Sequence, residues 1–409
     1  MKSNYISNIF KKLISLIQKY SFVRNSKVIM YYIDGILLQM MAKPKKIQSK
    51  KKKVLIVYNL AFGDGVIWRC SAAHLRKIYS KKDYEITLIC QKGINKLYEN
   101  DNVYDKILPV DFNKSTVNIK ERVSIFKQIR SEFYDIIIDP VGIFEWTTNI
   151  FFTRAAVGTK KIGLRDINVK LYCNSKKIKK IYTDIIEIEK PNLSLLEYYS
   201  TFVNKLSGGS LNVKPGFEKL ITKKTKLKLP KRYFIIFPGA SINLKRWPSE
   251  RYAELAERIY NKTKFKLVLV GTSADKEATE DLKEKLNIDY MDLVCQTSLN
   301  DYIDIIKNAS LVVTNDTSAY HIAVVEETPV ALIAGAYTYE RYALYDFPGK
   351  ENYKRPCVIV KNKKCKNCNN RCRYLNKDDK IWPCLNEITV EYAWDKIEDL
   401  INLNYGGKD

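Results

Sequence analysis

Short apolar runs alternate with stretches of helical spacing over most of this chain. In the first half, the pattern predicts strands at 53–58, 84–90 and 134–139 and a helix at 66–79. In the second half, it predicts strands at 233–237, 266–270, 311–314 and 330–333, and helices at 249–261, 274–286, 299–309, from about 318, and 390–403. Two separate alternating sets predict an α/β protein with two Rossmann-like domains that face one another across a cleft.

The domain boundaries follow from the segments between these sets. We expect a basic extension at 1–50, an N-terminal Rossmann-like domain at 51–227 and a C-terminal Rossmann-like domain at 228–409. The basic stretch 222–232 is typical of an interdomain linker. In the extension, apolar residues recur at helical spacing between Ile6 and Ile17, with lysines near the polar side. This basic amphipathic helix suits either an anionic membrane surface or packing on protein, and the pattern leaves both open.

Charge is concentrated at the beginning of the chain. The 409 residues include 70 Lys and Arg and 45 Asp and Glu, a formal net charge of +25, and 46% are hydrophobic, which excludes a disordered chain. Residues 1–53 carry 13 basic side chains and one acid, Asp34. The most apolar stretch, 28–42, is too short to span a bilayer. We therefore expect a cytoplasmic protein, which is peripheral on the inner face of the membrane if residues 1–50 contact lipid rather than protein.

The loop after the first predicted strand carries a candidate base. It includes Gly63, Asp64 and Gly65, but Trp68 stands where a dinucleotide fingerprint would have its third glycine, and no Lys-Ser/Thr pair follows. A plain NAD enzyme or ATPase is disfavoured. Asp64 is suited to accept a proton at the mouth of the sheet, and its alternative role is to form the turn or cap the next helix.

Two loops of the second half suit an anion. Gly239 allows close approach to the backbone, and Lys245 and Arg246 follow it, a pattern that suits either a diphosphate site or an ordinary basic surface loop. At 314–321 a strand runs into a helix, so the free amides of Thr317 and Ser318 can hold an anion. The alternative is a capped helix with nothing bound. His321 lies further along the same helix, where it either contacts the bound anion or is a core or capping histidine.

Together these loops resemble the heptosyltransferase branch of glycosyltransferase family 9, whose fold (GT-B) has two Rossmann domains. The resemblance covers about residues 52–385. It rests on motifs in the family's order, namely Gly63-Asp64, Tyr134–Asp139 with Lys161–Gly163, Pro238–Ser241 with Lys245–Pro248, Thr297–Leu299 and Asn315–His321. Ser318 stands where the family commonly has glycine, and the extension before Lys51 has no counterpart in the minimal family enzyme.

The resemblance implies an inverting transferase that moves a heptose or related sugar from a nucleotide-diphosphate donor to a glycan, lipid-linked or protein acceptor, in lipopolysaccharide biosynthesis. In that family the donor is typically ADP-heptose, and no catalytic metal is expected. By the same resemblance Asp64 would be the general base. Lys245 would neutralise the departing diphosphate, with help from Thr317 and Ser318, Asp316 would hold donor sugar hydroxyls, and His321 could touch the donor phosphate or sugar. The domain at 51–227 would then bind the acceptor, and the domain at 228–409 would bind the donor nucleotide. Base and charge stabilisation on opposite faces are what displacement at an anomeric carbon requires.

Four of the nine cysteines lie close together in sequence. Cys365, Cys368, Cys372 and Cys384 predict a structural zinc or iron site, because clustered thiols in a reducing compartment bind metal more often than they pair. The alternative is four unliganded thiols. Two other functions stay open: a basic nucleic-acid-binding protein, which the poor interleaving of aromatic and basic residues disfavours, and a catalytically silent scaffold. The favoured partners are a nucleotide sugar and a glycan, with no nucleic acid.

Overall fold

The computed structural model describes residues 26–141, 148–167, 177, 179–361, 365–368 and 371–406. The predicted amphipathic helix at 6–17 lies outside the described residues. Contacts divide the chain into two units. Unit 1 comprises Met1–Ala61, Ser71–Pro191 and Tyr198–Val213, and unit 2 comprises Phe62–Cys70, Asn192–Glu197 and Lys214–Asp409.

Twelve described strands build the two units. Those of unit 1 are β1 Lys52–Tyr58, β2 Tyr84–Gln91, β3 Lys106–Val110, β4 Phe133–Asp139, β5 Val157–Asp166 and β6 Asp184–Ile188. Those of unit 2 are β7 Tyr233–Phe237, β8 Lys266–Leu269, β9 Tyr290–Asp292, β10 Leu311–Thr314, β11 Val330–Ile333 and β12 Cys357–Ile359. The predicted strands are all present, within one residue at each end. β3, β5, β6, β9 and β12 were not among the predictions.

The described helices precede, connect and follow these strands. They are α1 Lys27–Met40, α2 Phe62–Ala72, α3 Leu75–Ile78, α4 Phe112–Val117, α5 Ile119–Ile129, α6 Thr148–Ala155, α7 Leu195–Leu206, α8 Ser249–Thr263, α9 Lys276–Lys283, α10 Leu299–Lys307, α11 Ser318–Glu326, α12 Pro383–Asn386 and α13 Val390–Tyr405. The helix predicted at 66–79 is in fact two helices. It begins earlier, at Phe62, and is interrupted between Ala72 and Leu75.

Both sheets have the same topology. The first has the order β3-β2-β1-β4-β5-β6 and the second β12-β11-β10-β7-β8-β9, and every pairing is parallel. If the strands of the second sheet are renumbered from one, both orders read 3-2-1-4-5-6, the Rossmann order. The central strands are buried along most of their length, because helices cover both faces of such sheets. The predicted α/β class with two Rossmann-like sheets is confirmed.

The apolar stretch 28–42 forms α1, which packs on unit 1. Asp34, fully buried, pairs with Arg122 of α5 through two hydrogen bonds of 2.8 and 2.5 Å. Met30 and Leu37 join Ile119 in a small apolar cluster. A search of the described helices finds none with the length and hydropathy that crossing a bilayer requires.

Candidate active site

The candidate site of unit 2 lies at the carboxyl ends of β7 and β10, the edge at which Rossmann-type sheets bind ligands. The fully buried side chain of Asn315 joins the loops there. Its amide nitrogen donates to the carbonyls of Pro238 and Gly239, at 2.7 and 3.2 Å. Its oxygen accepts from the backbone N–H of Trp247 at 3.1 Å and from the Tyr252 hydroxyl at 2.9 Å. Asn315 therefore fixes the loop after β7 at both of its ends.

Two residues that were predicted to bind the donor substrate, Lys245 and Asp316, contact each other at this edge. Lys245 Nζ lies 3.0 Å from Asp316 Oδ2, and both side chains are mostly buried. The same ammonium group lies 4.8 Å from the ring centroid of Tyr337. Because the pair is shielded from water, its charges act over short distances more strongly than a surface pair would. The arrangement places a cation and a hydrogen-bond acceptor side by side, which suits a phosphate next to a sugar hydroxyl.

The helix after this pair supplies amides for an anion. α11 begins at Ser318 with Thr317 in the capping position, but the hydroxyl of Thr317 pairs with that of Thr314, at 2.9 Å. In the described part of the chain no side chain caps this helix. Its first N–H groups and the positive end of its dipole are therefore oriented to bind a negative group beside Lys245.

Gly239 is required by a close approach that the sequence did not reveal. A Cβ at this position would lie 2.3 Å from Oδ1 of Asp275, which ends the loop after β8. The other carboxylate oxygen of Asp275 accepts from the N–H and the hydroxyl of Thr272, both at 2.8 Å. The loops after β7 and β8 thus pack around one carboxylate, and only glycine fits between them.

His321 is buried, and its Nδ1 is hydrogen-bonded to the hydroxyl of Tyr345. Burial lowers the pKa of His321 to about 4; Asp316 opposes that shift and Lys245 adds to it. The ring is therefore neutral at pH 7 and cannot balance phosphate charge. A Cβ on Gly63 would lie 2.4 Å from Cδ2 of this ring. The donor contact expected of His321 stays a prediction, while its packing role is visible.

Asp64 lies in the first turn of α2 rather than in an open loop, and its segment, Phe62–Cys70, groups with unit 2. Burial raises the pKa of Tyr342 to about 12, and the charges of Asp64 and then Asp316 add to this shift. The two carboxylates therefore act on the same hydroxyl. Arg69, also on α2, donates to the carbonyls of Glu218 and Lys219 at 2.9 and 2.8 Å. These bonds hold the helix that carries Asp64.

The four clustered cysteines line one small cavity. Its volume is about 10 Å³, and Cys365, Cys368, Cys372 and Cys384 form its wall with Tyr337, Trp382 and other neighbours. Burial raises the pKa of Cys384, and the nearby thiols of the other three add to the shift. Among the described residues, no three His, Cys, Asp or Glu side chains are placed to hold a metal ion. The thiols share a space the size of one water or ion without the geometry of a formed site.

The two parallel sheets have the Rossmann order on which the GT-B class of fold is built. The family model of glycosyltransferase family 9 (heptosyltransferase) matches residues 122–376, more than half of the chain, so the chain belongs to this family. The membership supports the transferase interpretation over a nucleic-acid-binding protein or a silent scaffold.

Curated relatives match part of the chain in sequence, and solved structures match its fold. Lipooligosaccharide heptosyltransferase 2 of Haemophilus influenzae is 35% identical over 123 residues, which are 29% of this chain and 35% of that protein. The chain spans about a third of the length of the curated relatives it matches first. The structure of E. coli ADP-heptose lps heptosyltransferase II has a TM-score of 0.60 at 17% identity and covers 86% of this chain and 99% of its own. The iron-containing dodecameric glycosyltransferase TibC of enterotoxigenic E. coli has 0.53 at 11%, and covers 88% and 78%.

Proposed function

We propose that this protein transfers a heptose from ADP-heptose to a hydroxyl group of a lipopolysaccharide or lipooligosaccharide core. The observation that carries the proposal is the buried Lys245–Asp316 pair beside the uncapped start of α11. Membership of glycosyltransferase family 9 supports it, as do relatives described as lipooligosaccharide and lipopolysaccharide heptosyltransferases.

In this mechanism Asp64 accepts the proton of the acceptor hydroxyl as its oxygen attacks the anomeric carbon of the donor. The new glycosidic bond forms with inversion while the bond from that carbon to the diphosphate breaks. Negative charge then develops on the departing ADP. Lys245 and the first amides of α11 stabilise this charge, and Asp316 accepts hydrogen bonds from sugar hydroxyls. No step in this scheme requires a metal ion.

The test combines donor binding with loss of the base. ADP should raise the unfolding temperature more than UDP, GDP or CDP, because a ligand that binds only the folded state stabilises it. Asp64→Ala should abolish transfer to a heptose-deficient lipopolysaccharide, followed by the mass of the product, yet keep the ADP-induced shift. Glu250→Ala is the matched control, since it removes an acid from the first turn of α8. Unchanged turnover in Asp64→Ala would remove this residue from the mechanism. If the protein transferred sugar only from another nucleotide sugar, the assignment of ADP-heptose as the donor would be wrong.

The cysteine cluster supports a second proposal, a structural zinc or iron ion. The fit is chemical: four thiols share one small cavity, and thiolates bind either metal in tetrahedral geometry. The likeness to TibC shows the fold alone, but its description as iron-containing is consistent with the idea. Such an ion would hold the segment around Cys365 to α12 and would take no part in sugar transfer.

Metal analysis of the purified chain tests this proposal. We expect about one equivalent of zinc or iron per chain, and iron would be distinguished by its thiolate absorption bands. Cys384→Ser should lose the metal and lower the unfolding temperature. Cys357→Ser is the control, because Cys357 lies on β12 and does not line the cavity. Less than about a tenth of an equivalent in the wild type would end the proposal.

Peripheral membrane contact is the third proposal. The outer face of α1 exposes Val28, Tyr32 and Ile36, spaced four residues apart and each about half exposed. The following segment, 43–53, is rich in lysine. An apolar stripe next to a basic segment suits an anionic lipid surface, where each lysine near the surface contributes roughly 1 kcal/mol.

Liposome sedimentation tests the membrane contact while leaving the packed face of α1 intact. The triple variant Val28→Ser, Tyr32→Ser, Ile36→Ser should reduce binding to phosphatidylglycerol vesicles, and the wild type should bind phosphatidylcholine weakly. Leu403→Ser is the control for an exposed apolar residue elsewhere. Equal binding of the triple variant and the control would contradict the proposal, as would retention on RNA but not on vesicles.

A further inference from the structure

Asp139, the last residue of β4, has a fully buried carboxylate that no step above uses. Among the residues that the structure describes, four groups donate hydrogen bonds to it. Oδ1 accepts from the backbone N–H of Val141 at 3.1 Å and from the side-chain amide of Asn149 at 2.5 Å. Oδ2 accepts from the hydroxyls of Tyr182 at 2.6 Å and Thr153 at 3.3 Å. An ionised carboxylate can accept all four, which a neutral side chain of the same shape cannot.

This cluster continues to the chain that precedes Asp64. The side-chain oxygen of Asn149 accepts from the backbone N–H of Asn59 at 3.0 Å. Asn59 directly follows β1 and lies five residues before Asp64 in the sequence. Because Asp139 orients the amide of Asn149 with its donor end inward, the acceptor end must point to Asn59. The orientation of one side chain thus fixes where the chain leaves β1.

We propose that Asp139 is a positioning residue for sugar transfer, which acts through Asn149 to hold the turn that leads to Asp64. The inference rests on the proposed function, in which Asp64 is the base. A base must lie within hydrogen-bond reach of the hydroxyl it deprotonates, and a shift of about 1 Å can lower the rate on the order of 100-fold. The buried cluster holds Asn59 through a hydrogen bond, five residues before this base in the sequence.

The surroundings make the cluster sensitive to pH. Burial raises the pKa of Asp139 to about 6, and the hydrogen bonds from Tyr182, the Val141 amide, Asn149 and Thr153 oppose this shift in that order. In the described part of unit 1, Tyr182 is the titratable group that contacts the carboxylate. On the neighbouring strand β5, Lys161 donates to the carbonyls of Thr153 and Arg154 of α6, so its ammonium group is occupied by that helix. Below about pH 6 the protonated carboxyl must donate one hydrogen bond, and the four donors can no longer all be satisfied.

The experiment uses the full-length chain and the variants Asp139→Asn and Tyr182→Phe. Tyr79→Phe is the matched control, since Tyr79 is a buried tyrosine of the same unit whose ring packs on Tyr84. Asp139→Asn should lower kcat about tenfold or more and leave the donor KM within about twofold. Tyr182→Phe removes the hydrogen bond that most favours the ionised form, so the acid limb of the kcat–pH profile should move to higher pH while the plateau is largely kept.

Amide hydrogen exchange gives a readout that does not depend on activity. In Asp139→Asn the peptide that contains Asn59 should exchange faster than in the wild type and in Tyr79→Phe. The inference would be overturned if Asp139→Asn had the same kcat and the same exchange rates as the wild type. It would also be overturned if the acid limb of the kcat–pH profile did not move in Tyr182→Phe. If the wild type fails to use ADP-heptose, the proposed function fails, whereas unchanged exchange at Asn59 would refute the Asp139 cluster independently. Should Asp139→Asn not fold, Tyr182→Phe still decides.

Discussion

In each of the two units, a polar side chain at the end of the fourth strand holds the loop that follows the first strand, but the two units use different side chains. In each sheet the strand order reverses between the first and fourth strands, β1 and β4 in one and β7 and β10 in the other. Asp139 ends β4 and Asn315 follows β10, and each ties the loop after the first strand of its sheet to the fourth strand. The amide does so directly, whereas the carboxylate acts through Asn149. We call Asn315 the neutral hub and Asp139 the charged hub. The comparison teaches that the hydrogen bonds of the neutral hub do not depend on pH. The charged hub can accept more hydrogen bonds, but it loses this capacity when acid protonates it.

The largest expected effect comes from charging the neutral hub. Asn315→Asp removes the donor to the Pro238 and Gly239 carbonyls and puts a buried charge against their oxygens. We expect a loss of on the order of 4 kcal/mol in the free energy of unfolding at pH 7, because unsatisfied buried groups and unpaired charges are both costly. Urea unfolding followed by the fluorescence of the buried Trp247 measures it. Asn261→Asp, at an exposed position of α8, should change little; equal losses would contradict the role of Asn315.

An intermediate effect comes from neutralising the charged hub. The pKa of Asp139 is about 6 in the folded protein and near 3.8 in the unfolded chain, so protonation favours the folded state. Its contribution to stability therefore falls as the pH rises from about 4 to about 6 and is constant above that. The stability of the wild type relative to Asp139→Asn should increase by roughly 2.4 kcal/mol between pH 7 and pH 4. A constant difference in urea unfolding over that range would show that Asp139 titrates normally.

The smallest effects come from a matched pair of hydroxyl deletions. Tyr252→Phe removes a donor to the neutral Asn315 oxygen and should cost about 1 kcal/mol at every pH. Tyr182→Phe removes a donor to a carboxylate and should cost about 2 kcal/mol at pH 7, but less at pH 4, where Asp139 is neutral. Thermal unfolding at both pH values compares the two variants. If the loss of unfolding free energy is the same at both pH values in each variant, the distinction between the two hubs is wrong.

The strands of the central sheets were predictable because they are short apolar runs bounded by turn residues. The run 233–237, for example, coincides with β7. The helix predicted at 66–79 was less accurate, because Phe62, Gly63 and Asp64 look like a turn in sequence. In the structure Asp64 lies in the first helical turn, where a carboxylate is favoured by the helix dipole.

The site was only partly predictable. Lys245 and Asp316 stand out because a cation and an acid follow two strand ends, and the structure pairs them. Asn315, next to Asp316, reads in sequence as a simple cap, and Asp275 has no motif at all. Asn315 acts on partners about 60 to 80 residues away in the sequence, such as Pro238. Asp275 acts on Gly239, about 35 residues away. Burial and pairing across such separations are set by tertiary packing, which local patterns do not encode.

The contact between Gly63 and His321 links two positions that are far apart in the chain. Any side chain at 63 would collide with the imidazole, so a mutation there is tolerated only together with a smaller residue at 321. We expect such substitutions to arise in tandem when variants are selected for growth. A library that randomises both codons at once should recover functional pairs that neither single-site library contains.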